Sequence, residues 1–326
     1  MISIIIPSYN TEKYIVETLT SIQSQTYTDF ECIIVDDLSS DQTFQLTMDF
    51  CLKDCRFKIV NRPISYPKGA NACRAYGYSQ ISKKSNYILF FDSDDIMSHQ
   101  NIEKKIESLR GSNDLNCCFS LVGSFSGDFS TNKDYTNSVY YKRFFSNDIF
   151  WDFANFKIVF YYVNGVFKRE YLDNFFIDRG INYFINPDLP CYQDYFLFLM
   201  LLKEGMNYSL IDEPHVFYRD RTGSISSQFQ EYNTDKSKKG IKTLIWIRDY
   251  LAENKLKNNE YDLVINSYMI RFSRQYFVAK KFNDSFNFFI LSVHFIVKNL
   301  KFTSYWRFPL QLFYITTGKL GRYIYE

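Results

Sequence analysis

A chain of 326 residues is long enough to hold a full α/β domain and a smaller appendage. Its 38 basic and 36 acidic residues leave a net charge of +2, which gives no global reason to expect nucleic-acid binding. Seven cysteines without a CxxC pair, beside three histidines, argue against a zinc site and read as free thiols of a reducing compartment. No basic leader precedes residues 2–6, and no window reaches about 18 uninterrupted apolar residues. A cytoplasmic chain without a spanning helix is the expectation.

In chain order, residues 2–6 form a first strand closed by Pro7, which has no amide hydrogen to give a sheet ladder. Thr11 offers a cap to a helix whose apolar face is Tyr14, Ile15, Leu19 and Ile22. Residues 30–35 make a second strand ending in Asp36-Asp37, and Ser39-Ser40-Asp41 offers caps to a helix near 42–51. A third strand covers 57–60, and Gly69 opens a helix to about residue 81. Residues 87–91 are five large apolar side chains in a row, the mark of a strand buried on both faces. This alternation predicts a doubly wound, mostly parallel α/β sheet with right-handed crossovers. No GxGxxG follows the first strand, which argues against NAD or FAD.

The polar residues gather just past the strand ends, where open α/β sheets bind ligands. Asp92, Asp94 and Asp95 crowd three carboxylates together, which repel one another unless a cation or donors face them. Hard oxygen ligands favour Mg²⁺ or Mn²⁺ bridged to phosphates, while a solvated acidic turn is the plainer alternative. Tyr9 suits stacking on a base, and a carboxylate such as Asp37 accepts from a base N–H. Lys68 and Arg74 supply charge for a diphosphate.

Downstream, residues 98–109 read as an amphipathic helix burying Ile102, Ile106 and Leu109, with His99 on the surface. A strand over 115–125 and a polar loop to 138 follow, then an aromatic run over 144–160 that fits either an acceptor groove or core. A strand over 159–167 leads into a helix. Asp194 stands at the start of an apolar helix over 196–202, where the helix dipole alone would favour an acid. Residues 211–218 form a late strand, and the following loop carries Arg219 and Arg221, suited to a diphosphate or simply to solvent. From residue 227 the chain changes character. Lys236 to Gly240 reads as a basic linker, followed by helices over 241–252, 260–280 and 283–300. Residues 280–326 hold seven Lys/Arg against two acids, which fits an interfacial membrane anchor or a plain helical bundle.

The segments Ile-Pro-Ser-Tyr-Asn (6–10), Val-Asp-Asp-Leu-Ser-Ser-Asp (35–41), Gly69 to Arg74 and Phe-Asp-Ser-Asp-Asp (91–95) together resemble the inverting glycosyltransferases of family 2, with the GT-A fold. The resemblance covers residues 1–226 and leaves 227–326 as a helical, aromatic-rich and basic extension. It implies a donor site for a UDP-sugar built from Pro7, Tyr9, Asp37, Lys68, Arg74, Asp92 and Asp94, joined by Arg219 and Arg221. Tyr9 and Asp37 would meet the uracil. Asp94 and Asp95 would hold the ribose and a divalent Mn²⁺ or Mg²⁺, and the spacing leaves open which acid binds the ion. Asp194 would be the general base, although the family's usual Glu-Asp is Gln193-Asp194 here. The implied acceptor is a saccharide, lipid-linked at the inner membrane face, in surface polysaccharide synthesis. A non-catalytic nucleotide-sugar-binding subunit and a sugar nucleotidyltransferase are the alternatives; the latter lacks its Gly-rich basic loop here. Neither spanning helices nor QxxRW supports a processive synthase.

Overall fold

A computed structural model describes residues 1–125, 127, 148–155, 160–177, 180, 192–220, 234–256, 259–278 and 282–299. The chain divides into two units, Met1–Pro187 with Tyr192–Arg221, and Asp188–Cys191 with Thr222–Glu326.

The first unit is built on β1 (Ile2–Ser8), buried along its whole length. It lies between β2 (Phe30–Asp36) and β4 (Tyr87–Phe90), parallel to both, and β3 (Phe57–Asn61) extends the sheet beyond β2. The crossovers contain α1 (Ile15–Gln23), α2 (Thr43–Cys51) and α3 (Ala70–Ser79). Pro7 does not end the first strand: it pairs in register with Val35, and the ladder runs on to Ser8.

Beyond β4 the expected parallel winding reverses. The strand order is β3-β2-β1-β4-β7-β6-β8-β5, where β5 (Ile96–Met97), β6 (Cys117–Phe125), β7 (Gly165–Lys168) and β8 (Tyr208–Arg219) complete eight strands. β7 runs antiparallel to both β4 and β6. Because Leu89 pairs with Val166, the residues just before β7 are carried to the C-terminal end of β4. They form a 3₁₀ turn, Tyr162–Asn164, where a strand from 159 is expected. This reversal places later chain on the same rim as the first three loops. β5 is too short to announce itself in sequence.

Helix α4 (Asn101–Arg110) buries Ile102, Ile106 and Leu109, and with Ile15, Leu19 and Ile22 they cover one face of β1. On the opposite face α3 approaches closely, for a Cβ on Gly77 would lie 2.5 Å from Ile5 Cγ2. The aromatic run takes the packing alternative in its described part. Phe153, in α5 (Ile149–Ala154), and Phe160 are buried, with Phe160 4.8 Å from Phe119 and Phe153 stacked 5.1 Å from Tyr195. Helix α6 (Arg169–Ile177) follows β7, and α7 (Gln193–Lys203) carries Phe198 into the same aromatic core. His99 is exposed, and Arg219 belongs to β8 rather than to the loop after it.

In the second unit, α8 (Thr234–Glu253), α9 (Asn259–Val278) and α10 (Phe282–Asn299) bury Leu244, Ile247, Ile265, Met269 and Phe288. Polar stitches join them: Arg248 Nε donates to Asp262 at 2.7 Å, and Ser292 Oγ to Asn266 Oδ1 at 2.6 Å. The basic run 236–240 is helical, inside α8, rather than a linker. Among the described residues no helix is long and apolar enough to cross a membrane.

Candidate functional site

The first part of the rim is made by the loops after β1 and β2, held together by side chains. Asn10 (φ 50°) and Leu38 (φ 60°) sit in the left-handed region where these loops turn. Asn10 Oδ1 accepts from the Ser40 N–H at 2.9 Å, and Thr43 Oγ1 accepts from the Thr11 N–H at 2.7 Å. Thr11 therefore joins two loops through its backbone; α1 starts without a side-chain cap. Asp36 is spent on its own turn, accepting from the Ser39 N–H at 2.8 Å and the Ser39 hydroxyl at 2.6 Å.

Asp37 is buried and ion-paired with Arg62 Nε, and its second oxygen accepts the Gly69 N–H at 2.9 Å. Arg62 also donates to the carbonyls of Pro63, at 3.0 Å, and Tyr66, so it straps the loop from β3 to α3 against Asp37. That loop sets the Lys68 ammonium 4.0 Å from the centre of the Tyr9 ring, which is 43% exposed. Tyr9, Asp37 and Lys68 thus meet on one edge. Arg62 escapes a motif-based reading; its signal is a cation one residue past β3, whose register pairs Asn61 with Asp36.

The second part of the rim lies past β4. Asp92 is partly exposed and accepts from Arg74 Nη2 at 2.6 Å. Arg74 donates from Nη1 to Asn71 at 2.8 Å and lies with its guanidinium carbon 4.6 Å from the centre of the Tyr162 ring. Asp94 is half-buried, and its backbone carbonyl accepts from Arg219 Nε at 2.9 Å. Asp95 is fully buried and accepts the Arg219 N–H at 3.0 Å. Burial, with Asp94 and Asp92 close by, pushes its carboxyl well above the usual range. Arg219 points inward: it pairs with Glu17, donates to the Gly127 carbonyl at 2.6 Å and lies 4.4 Å from the Phe125 ring centre. Arg219, expected to meet a diphosphate, is buried here behind the acids and clamped by these contacts. Arg221 lies outside the described residues.

No group of three or more His, Cys, Asp or Glu side chains among the described residues is arranged to hold an ion. The part-exposed pair Asp92 and Asp94 nonetheless suits Mg²⁺ or Mn²⁺, which take one or two carboxylates and complete their shell with waters and phosphate oxygens. Asp95, sealed against the Arg219 backbone, fits a supporting position better than a ligating one.

Asp194 stands in the first turn of α7. Burial pushes its carboxyl up, while the Arg74 guanidinium draws it down and Asp92 opposes that. Asp194, Arg74 and Asp92 are therefore within electrostatic reach of one another. Tyr162 is the fourth member, with a buried hydroxyl that has no hydrogen-bond partner among the described residues. It too was invisible in the sequence, where one tyrosine among 27 carries no signal.

With that geometry in view, the sequence profile of glycosyl transferase family 2 matches residues 3–176, more than half of the chain. The chain belongs to glycosyl transferase family 2. Among curated relatives, the minor teichoic acid biosynthesis protein GgaA of Bacillus subtilis is 26% identical over 230 residues, 68% of this chain and 47% of that protein. An Escherichia coli protein, UDP-Glc:alpha-D-GlcNAc-diphosphoundecaprenol beta-1,3-glucosyltransferase WfgD, is 35% identical over 113 residues, 35% of this chain and 42% of that protein. The chain spans less than half the length of the curated relatives it matches. Staphylococcus aureus TarS 1–349, solved in complex with UDP-GlcNAc, superposes with a TM-score of 0.51 at 17% identity, covering 87% of this chain and 89% of that one. The fold is that of the GT-A glycosyltransferases, as the motifs of this family member implied.

Proposed function

We propose that the protein transfers a sugar from a UDP-sugar to a hydroxyl of a lipid-linked saccharide, with inversion, in the synthesis of a surface polysaccharide. The observation that carries this reading is the position of Arg74, which pairs with Asp92 past β4 and lies over the Tyr162 ring, itself packed 5.5 Å from Phe198 of α7, the helix whose first turn holds Asp194. Tyr9 offers an exposed ring face for uracil, and Asp37 retains acceptor lone pairs beyond those used by Arg62 and Gly69. Asp194 takes the proton of the acceptor hydroxyl as its oxygen attacks the anomeric carbon. The bond from that carbon to the diphosphate oxygen breaks, and its electron pair leaves with UDP. One displacement inverts the centre and requires no covalent nucleophile. A divalent ion held by Asp94 with Asp92 would neutralise charge on the departing diphosphate. Support for the acceptor and donor classes comes from the relatives, WfgD and GgaA by name and TarS by its bound UDP-GlcNAc.

We place the enzyme in the cytoplasm, against the inner membrane face. Exposed Phe286, Ile290 and Leu291 on α10 and the basic excess after residue 280 support that contact. The deciding experiment uses Asp194→Asn with UDP-glucose or UDP-N-acetylglucosamine and Mn²⁺. Turnover, read as UDP release, is expected to fall by about 100-fold or more, as for loss of a general base, while UDP affinity stays within twofold. Wild-type turnover in that variant would remove Asp194 from the chemistry.

A further inference from the structure

We infer that Tyr162 is a positioning residue whose ring face fixes Arg74 between the donor-side and acceptor-side groups. The inference rests on the glycosyltransferase reading above and concerns how that site is held together. Arg74 is buried, yet its guanidinium joins two partners, Asn71 of its own helix and Asp92 at the end of β4. The Tyr162 ring beneath it packs 5.5 Å from Phe198 of α7, the helix that carries Asp194 in its first turn. A long, rotamer-rich side chain holds two such partners only when its plane is fixed.

Hydrogen bonds secure only the far end of the guanidinium, through Asn71 at 2.8 Å and Asp92 at 2.6 Å. Arg74 Nε is buried with no hydrogen-bond partner among the described residues, so nothing polar there anchors the near end. The Tyr162 ring does instead, with its centre 4.6 Å from the guanidinium carbon, the geometry of a cation over an aromatic face. The ring in turn is wedged: Phe90 and Phe198 each lie 5.5 Å from it, centre to centre. Its hydroxyl is buried without a partner among the described residues, so no phenol O–H bond there explains the placement. The working part of Tyr162 is its face.

A double-mutant cycle between Tyr162 and Arg74 separates positioning from a general structural role. UDP release from UDP-glucose or UDP-N-acetylglucosamine with Mn²⁺ is measured for Tyr162→Leu, Arg74→Ala and the pair, with the intact chain. Tyr162→Leu is expected to lower kcat by about 10- to 100-fold, the scale of a misplaced catalytic group. In the Arg74→Ala background the same change has an effect below about twofold, because the group it holds is gone. Tyr162→Phe, which keeps the ring, recovers most of the loss. Should Tyr162→Leu not fold, as judged by its melt, Tyr162→Met replaces it in the cycle. Equal losses in both backgrounds, or a loss in Tyr162→Phe as large as in Tyr162→Leu, overturns the inference. Wild-type turnover in Asp194→Asn overturns the assignment of the base instead, and leaves the cycle to be judged by its own result.

Discussion

Asp95 and Lys105 show how differently the fold treats two buried charges. Asp95 is sealed beside two other acids, where burial favours its protonated form, and the Arg219 backbone keeps one oxygen satisfied. Lys105, in α4, is buried too, and burial lowers its ammonium to about 7, with Asn101 Oδ1 at 2.6 Å accepting from it. In the unfolded chain a lysine titrates near ~10.4. The folded value lies below the unfolded one, so the unfolded chain binds the proton more tightly. Stability therefore rises with pH between about 7 and 10 and is lowest where both states are charged. Lys105→Met removes that titration. The gap in melting temperature between Lys105→Met and the wild type is expected to shift steadily over this window, closing the wild type's disadvantage. A gap independent of pH would contradict the burial of a titrating amine.

At the scale of elements, the helix-to-sheet packing is tightest where α3 crosses β1. Gly77 sits there because a Cβ would lie 2.5 Å from Ile5 Cγ2 and 3.2 Å from Val35 Cγ2, both fully buried. Gly77→Ala gains about 1 kcal/mol of helix propensity. Overpacking against two β-branched side chains that cannot move aside costs about 1–3 kcal/mol. The expected net result is a lower melting temperature, read by calorimetry; a stabilised variant would mean that α3 can lift off the sheet. The elements of the first half were legible because apolar runs, Gly69 and the acid-ended strands each carry a local signal. β5, and the direction though not the existence of β7, were hidden for a physical reason. A strand two residues long, Ile96–Met97, has no period to detect, and β7 acquires its direction from pairing with β4 and β6, not from its own residues. Likewise Asp37 and Asp92 stand out in the sequence by their motifs, whereas Arg62 and Tyr162 are seen only through partners far along the chain. Arg219 differs from its expected loop position for the same reason. As a loop arginine it suggests phosphate, but the end of β8 turns it toward Glu17.

At the scale of the whole molecule, α10 carries several exposed apolar side chains on one helix. Ser285, Phe288, Ser292 and Phe295 face inward, and Phe286, at 62% exposure, Ile290 and Leu291 face out. A helix that hides serines and shows Phe, Ile and Leu invites an apolar neighbour, and the basic excess beyond residue 280 favours an anionic one. The protein is expected to sediment with vesicles containing phosphatidylglycerol and less with phosphatidylcholine alone. Replacing Phe286 and Ile290 by serine should reduce the bound fraction severalfold, since each buried side chain is worth about 1.5–3 kcal/mol. Equal sedimentation of both proteins would leave α10 without a membrane function.

The antiparallel return of β7 has one more consequence. Arg219 and Arg221 aside, every group proposed for the nucleotide stands before residue 96, on the loops and crossovers after consecutive parallel strands, while Tyr162 and Asp194 belong to chain that comes much later. On the reading proposed above, what is handed over would be written in the opening third of the polypeptide, and what receives it in the part that doubles back. Drift in the second portion would then redirect the product while the first kept reading the same activated sugar, with Arg74 where the two meet.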